Sequence, residues 1–286
     1  MKLLWDTEKA KRRAHGRAGS VEHGAQPGLP DPAVVSPVVG VLGAKGGVGA
    51  TTLAINLAVA LAQDGKTTTL LDANLQQPDA ACMIAGHANY SLLELVARAG
   101  DLDRKVFEAC LTDVAQLGQG LKLLSPPPAG DAAGKVNLTE VAGCLDRIRG
   151  FSGLWVLDLP RHLDKHLVTL MDRCDLILLV LEASLTGVAA TRRWLDVFAE
   201  LGYAAGKVSC VLNRSGSREK LVESRLSSSF RDCQLYKIPN AYGIAWDCAA
   251  RGVPILVDRP KEPYARAVRR LSAAAAEQLA RGTARA

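Results

Sequence analysis

A chain of 286 residues with 48% hydrophobic residues is long enough and apolar enough to bury a substantial core. The net charge of +6 is modest, so the composition excludes a polyelectrolyte, and no apolar run reaches the length of a membrane span or forms a secretory signal. Seven scattered cysteines without a CxxC pair exclude a disulfide framework or a cysteine zinc site and fit reduced thiols in a cytoplasmic protein.

In chain order, residues 1–36 are polar, basic and broken by glycine and proline. They read as a disordered basic arm with one short helix near Leu4 to Arg13. The nucleotide-binding domain is expected over 37–286. Val38 to Leu42 reads as a buried strand and Thr52 to Leu61 as a helix with an apolar face. Thr67 to Leu71 is a second strand ending at Asp72. Leu92 to Ala99 and Arg104 to Cys110 have helical spacing, and Leu121 to Leu124 is a strand before a Pro126-Pro127-Pro128 loop. Helix Leu138 to Arg149 precedes strand Leu154 to Leu157, which delivers Asp158 to its C-terminal end.

Leu176 to Leu181 is the most apolar run and suits a central parallel strand covered on both faces. Helix Thr186 to Leu201, strand Val208 to Leu212, helix Arg218 to Phe230 and strand Leu235 to Ile238 follow. Helices Tyr242 to Ala250 and Tyr264 to Leu279 close the chain. Strands alternating with helices predict a doubly wound, mainly parallel α/β sheet flanked by helices, with ligands at the carboxyl ends of the strands. In the last helix, Val268, Leu271, Ala275 and Leu279 recur at core-packing spacing, with residues too small for a membrane-targeting face.

Between the first strand and helix lies Gly43-Ala44-Lys45-Gly46-Gly47-Val48-Gly49-Ala50-Thr51-Thr52. Its spacing is that of the phosphate loop GxxxxGK[ST], in which backbone N–H groups wrap phosphates, lysine reaches the outer ones and the hydroxyl binds Mg²⁺. Gly49 and Thr51 fit. Ala44 takes the first glycine's place, and Ala50 takes the lysine's. The following helix adds its partial positive charge. Asp72 and Asp158, each after a strand, are the expected carboxylates for Mg²⁺ acting with Thr51. His162 and His166 lie four apart with no third ligand, and read as surface histidines. Arg161, just after the Asp158 motif, reads first as a solvated helix-start charge, with a phosphate or a partner subunit as its alternatives.

With these motifs in place, the chain resembles the ParA/MinD family of deviant-Walker P-loop ATPases. The matches are Lys45-Gly46-Gly47-Val48-Gly49, Asp72-Ala73-Asn74-Leu75-Gln76, Leu157-Asp158-Leu159-Pro160-Arg161, Val211-Leu212-Asn213-Arg214, and Ile238-Pro239 leading to Ala250-Arg251-Gly252-Val253-Pro254-Ile255. Within that family the nearest resemblance is to the CpaE/TadZ pilus-assembly branch, on Gly49-Ala50-Thr51-Thr52, Leu157 to Arg161 and Leu181 to Val188. The resemblance implies ATP and Mg²⁺ as cofactors, bound between two subunits with Lys45 of each reaching the partner's phosphates. It implies that Asn213 contacts adenine, with Pro239 nearby; the residues alone read Asn213 equally well as a strand-end turn.

Two positions depart from the active pattern. Ala50 removes a charge-assisted contact of about 1.5–3 kcal/mol. Asn74 replaces the second aspartate of the DxD segment, so with Asp72 it occupies a switch position but cannot accept a proton. No residue is assigned as catalytic. With these departures, the resemblance implies an ATP-binding, dimerising localisation or assembly factor of a pilus or secretion apparatus with weak or absent hydrolysis. It would be cytoplasmic, at a pole or at the inner face of the membrane through its partners. The alternatives are an active ParA/MinD-type ATPase that positions DNA or other cargo, and a scaffold that binds no nucleotide; DNA contact through basic residues would be weak.

Overall fold

The computed structural model describes residues 35–84, 91–127, 135–204, 206–216 and 233–283. Among them, eight strands form one sheet in the order β3-β4-β2-β5-β1-β6-β7-β8. These are β1 Val38–Gly43, β2 Thr68–Asp72, β3 Thr112–Asp113, β4 Leu121–Leu124, β5 Leu154–Leu159, β6 Leu176–Glu182, β7 Val208–Ser215 and β8 Gln234–Pro239. Neighbours pair in parallel throughout, apart from the antiparallel edge pair of β3 with β4. The expected doubly wound α/β sheet is therefore present.

The helices are α1 Ala50–Gln63, α2 Ala80–Met83, α3 Leu92–Ala97, α4 Arg104–Ala109, α5 Leu138–Ile148, α6 Lys165–Asp172, α7 Leu185–Glu200, α8 Tyr242–Ala250, α9 Ile255–Asp258 and α10 Pro263–Thr283. Two apolar layers hold them to the sheet. One joins Leu53, Leu57 and Leu61 of α1 to Val268, Leu271, Ala275 and Leu279 of α10. The other joins Val141 and Leu145 of α5, Leu167 and Leu170 of α6 and Phe198 of α7 to the same apolar layer as Trp155 of β5. The strands between these layers are covered on both sides, which is why β1, β5 and nearly all of β6 are buried end to end.

Several expectations need correction. Helix Leu92 to Ala99 stops at Ala97 and passes into a 3₁₀ turn, Ala99–Asp101. α7 starts at Leu185, because Ser184 caps it by accepting the Gly187 N–H. β7 runs past Leu212 to Ser215, with an irregular register against β8 over that stretch. α2, α6, α9 and the β3 edge were not expected at all; all are short, and α6 owes its start to the Asp164 cap on the Leu167 N–H. The predicted helices Leu4 to Arg13 and Arg218 to Phe230 lie outside the described residues. No described helix is long and apolar enough to cross a membrane.

The helix after the glycine loop is anchored by a buried polar side chain. Asn56, 2% exposed, donates from Nδ2 to the Thr52 carbonyl at 2.8 Å and accepts the Leu256 N–H on Oδ1 at 3.0 Å. It thereby ties the first turn of α1 to α9. Asn56→Ala leaves the Leu256 amide buried without a partner, and urea unfolding is expected to show a loss of about 1–3 kcal/mol.

Candidate functional site

The carboxyl ends of the strands open into a cleft of about 930 Å³. Its floor is the loop between β1 and α1, where Lys45, Gly46, Gly47, Val48, Gly49, Ala50, Thr51 and Thr52 all line the space. Gly47 and Gly49 take the left-handed conformation, at φ 76 and φ 86. A Cβ at Gly49 would stand 2.6 Å from Asn213 Nδ2. Both the backbone angle and the close approach require glycine there. Among the described residues, the amide N–H groups of residues 45–52 make no hydrogen bond beyond the turn at Gly46-Gly47. The loop is thus a concave row of unspent donors at a helix N-terminus, the arrangement that fits phosphate oxygens.

Not every expected residue faces this cleft. Ala44 is buried and gives its N–H to the Val180 carbonyl at 2.8 Å, so it belongs to the sheet. Asn213 is buried, and its Nδ2 donates to the Val48 carbonyl at 2.7 Å, holding the loop from beneath. Pro239 lines neither this cleft nor the smaller cavity beside it. His162 and His166 do line the cleft, but His166 Nδ1 is 2.8 Å from Thr139 Oγ1, and no group of three or more metal-ligating side chains occurs among the described residues.

The carboxylates divide. Register places Asp72 of β2 directly beside Asp158 of β5. Asp158 lines the cleft together with Thr51, whose hydroxyl partly offsets the rise that burial imposes on its carboxyl, the pairing expected at a Mg²⁺ site. Asp72 is wholly buried behind it and is absent from the cleft wall. Its oxygens accept the Asn74 N–H at 2.9 Å and the Ala80 N–H at 3.0 Å, so it shapes the turn that carries Asn74 and Asp79 to the cleft.

Sequence reasoning missed the ion pairs at the rim. Glu182 Oε1 lies 2.6 Å from Lys45 Nζ, and Glu182 Oε2 lies 3.4 Å from Arg214 Nη1. Arg214, at φ 57, also donates from Nη2 to the Gly47 carbonyl at 2.7 Å. The hydrogen bond from Lys45 holds Glu182 below the usual carboxylate range. Also missed was a cavity of about 180 Å³ that adjoins the cleft at Gly49, Thr52, Met83 and Arg214 and continues along Asn213, Tyr242, Trp246 and Tyr264. The rings of Tyr242 and Trp246 are exposed at its mouth, while the buried Tyr264 hydroxyl has no hydrogen-bond partner among the described residues.

Burial pushes Asp72 up to about 6, and burial together with the neighbouring Asp72 charge pushes Asp158 up to about 8. Both values lie above those of an unfolded chain, so the favourable contribution of this pair is complete below about pH 4 and is lost as pH rises through about 6 and then 8. Asp158→Asn removes the cleft-side member. Its melting temperature is expected to exceed that of the unsubstituted protein at pH 9 in chelator, with the gap narrowing as pH falls through 8 and 6 and closing only below about pH 4. Differential scanning fluorimetry across that range checks this, and a gap independent of pH counts against it.

A ParA family model, described as an NUBPL iron-transfer P-loop NTPase, matches residues 34–96, the segment carrying the loop and Asp72. An ATP-binding protein of Methanocaldococcus jannaschii is 20% identical over 239 residues, spanning 82% of this chain and 86% of the relative. A ParA family ATPase from Chlorobium tepidum superimposes with a TM-score of 0.76 at 18% identity, covering 83% of this chain and 99% of that one. The septum site-determining protein MinD of Pyrococcus horikoshii, solved with Mg-ADP, gives 0.68 at 22% identity, covering 83% and 94%. The chain has the ParA/MinD-type P-loop NTPase fold.

Proposed function

We propose that residues 37–286 form an ATP-binding switch in which Mg-ATP closes two copies of the chain and hydrolysis is slow or absent. The observation that carries this reading is the row of unspent amides at residues 45–52 facing the Thr51–Asp158 pair, in a loop with alanine at position 50. Donors for a triphosphate and ligands for Mg²⁺ remain, while one charge that would serve hydrolysis is missing. The binding set is Lys45, Gly46, Gly47, Val48, Gly49, Ala50, Thr51 and Thr52, with Asn213 supporting the loop. Thr51 and Asp158 are assigned to Mg²⁺, and Asp72 acts through Asp158 and the Asn74 turn. When bound, Mg²⁺ would neutralise phosphate charge. The protein's own part is to orient the phosphates on fixed amides and to exclude a strong base, since Asn74 can hydrogen-bond a water without taking its proton.

The small cavity beside Gly49 is the natural place for the nucleobase, since it opens from the cleft at Gly49 and Thr52 and carries two exposed rings, Tyr242 and Trp246, at its mouth. The role we assign is recruitment and positioning for a pilus or secretion apparatus, resting on the resemblance to the CpaE/TadZ branch. Residues 1–36 would serve as a basic arm for weak contact with acidic partners.

A second reading, an active ParA/MinD-type positioning ATPase, shares the same fold and cleft. Titration of Mg-ATP, mass in solution and phosphate release over hours separate the two. Under our reading the protein binds Mg-ATP, doubles its mass with it and releases almost no phosphate; Lys45→Ala weakens the dimer. Restoring Ala50→Lys and Asn74→Asp is expected to speed release by about a hundredfold per group. Steady turnover stimulated by DNA would support the second reading, and absence of ATP binding would leave a scaffold.

A further inference from the structure

The loop lacks a lysine at position 50, yet the cleft above it is not short of cations. Lys45, Arg161 and Arg214 all line it. Two of the three are committed elsewhere. Lys45 is held by Glu182, and Arg214 is held by Glu182 and the Gly47 carbonyl. Arg161 has no ion pair or hydrogen bond among the described residues, although Asp79, Asp158 and Asp164 line the same cleft.

Its location is specific. Arg161 follows Pro160 at the end of β5, three residues beyond Asp158, and its guanidinium lies against the glycine loop. A Cβ built on Gly46 would fall 1.8 Å from Arg161 Nη1 and 2.9 Å from Cζ, whereas one built on Gly47 would meet nothing within 4 Å. The guanidinium therefore fills the space that the missing Gly46 side chain leaves, against the glycine loop. Arg161 is exposed, as a solvated charge would be, and it also stands at the loop.

We propose that Arg161 is the phosphate-binding cation of this site, supplied by the same subunit from the end of β5 in place of the lysine missing at position 50, and that it grips the outer phosphates of a nucleoside triphosphate. The inference rests on the ATP-binding reading above. A guanidinium presents a planar fork of donors that matches two phosphate oxygens at once, and here it has no existing pair to break before doing so. Lys45 and Arg214 would each have to leave Glu182 first. The assignment also gives a reason for arginine just past the Mg²⁺ carboxylate: one short segment then supplies Asp158 toward the metal and Arg161 toward the phosphates.

Calorimetric titration of ATP, ADP and AMP in the presence of Mg²⁺ tests this with Arg161→Ala, Arg161→Lys and the double variant Ala50→Lys/Arg161→Ala. Loss of the side chain is expected to weaken ATP binding about 10- to 100-fold. The loss should shrink from ATP to ADP to AMP, Arg161→Lys should retain part of the affinity, and the double variant should recover most of it. Melting temperatures close to that of the unsubstituted protein confirm that the exposed substitution leaves the fold intact. Unchanged ATP affinity in Arg161→Ala overturns the inference while leaving the nucleotide reading standing. An equal loss for ATP and AMP that lysine at position 50 does not restore also overturns it, because that pattern marks a damaged loop rather than a missing charge. If the unsubstituted protein binds no ATP, the nucleotide reading fails and this inference fails with it.

Discussion

The site depends on how the chain turns from β1 into α1. A strand buried on both faces must hand over to a helix that is itself buried for most of its length, and the connecting loop must leave its amides pointing outward. Gly47 and Gly49 supply the left-handed backbone, and the Asn213 amide then clamps the Val48 carbonyl from the neighbouring side of the sheet. The clamp approaches so closely that a side chain at Gly49 would collide with it. Because β7 carries Asn213 and pairs with β6, which pairs with β1, the loop's shape is referred back to the register of three adjacent strands. That register holds the row of amides in a fixed position.

Sheet register also explains the division of labour between the two aspartates. Asp72 and Asp158 are register partners, and two adjacent carboxylates in a buried place cannot both ionise cheaply. The fold answers by giving Asp72 two backbone N–H donors and leaving Asp158 the Thr51 hydroxyl and the open cleft. One carboxylate becomes structural and the other is available to a cation. From sequence the two looked equivalent, since each simply follows an apolar strand.

Much of the architecture was legible because long apolar runs and glycine punctuation determine it. The strands from Val38, Thr67, Leu121, Leu154, Leu176, Val208 and Leu235 lie within about a residue of their expected starts, and the glycine loop stands between a strand and a helix as its pattern requires. Short capped elements escaped, because α6 depends on a single Asp164 cap and α2 on a turn shaped by Asp72. The rim of the site was legible only in part. Glu182 ends an apolar strand and Arg214 follows Asn213, but nothing local indicates that both converge on the glycine loop from separate strands. Arg161 illustrates the limit most clearly: its residue type and position were visible, yet its meaning comes from the absent side chain at Gly46 across the cleft.

The pairing of Lys45 with Glu182 bears on how such a site could respond to nucleotide. In the dimer reading, Lys45 must extend toward a second subunit, which requires it to leave Glu182. The pair is only partly buried, with side-chain exposures of 34% and 21%, and a pair so accessible to water contributes about 1 kcal/mol or less. Arg214 remains beside Glu182 after Lys45 departs, so the carboxylate is not stranded without a counter-charge. The contact is therefore strong enough to define a resting position and weak enough for a triphosphate to displace. An arginine that holds the phosphates from within the subunit would leave Lys45 available for the partner, so the two cations would divide between them the work of binding and of closure.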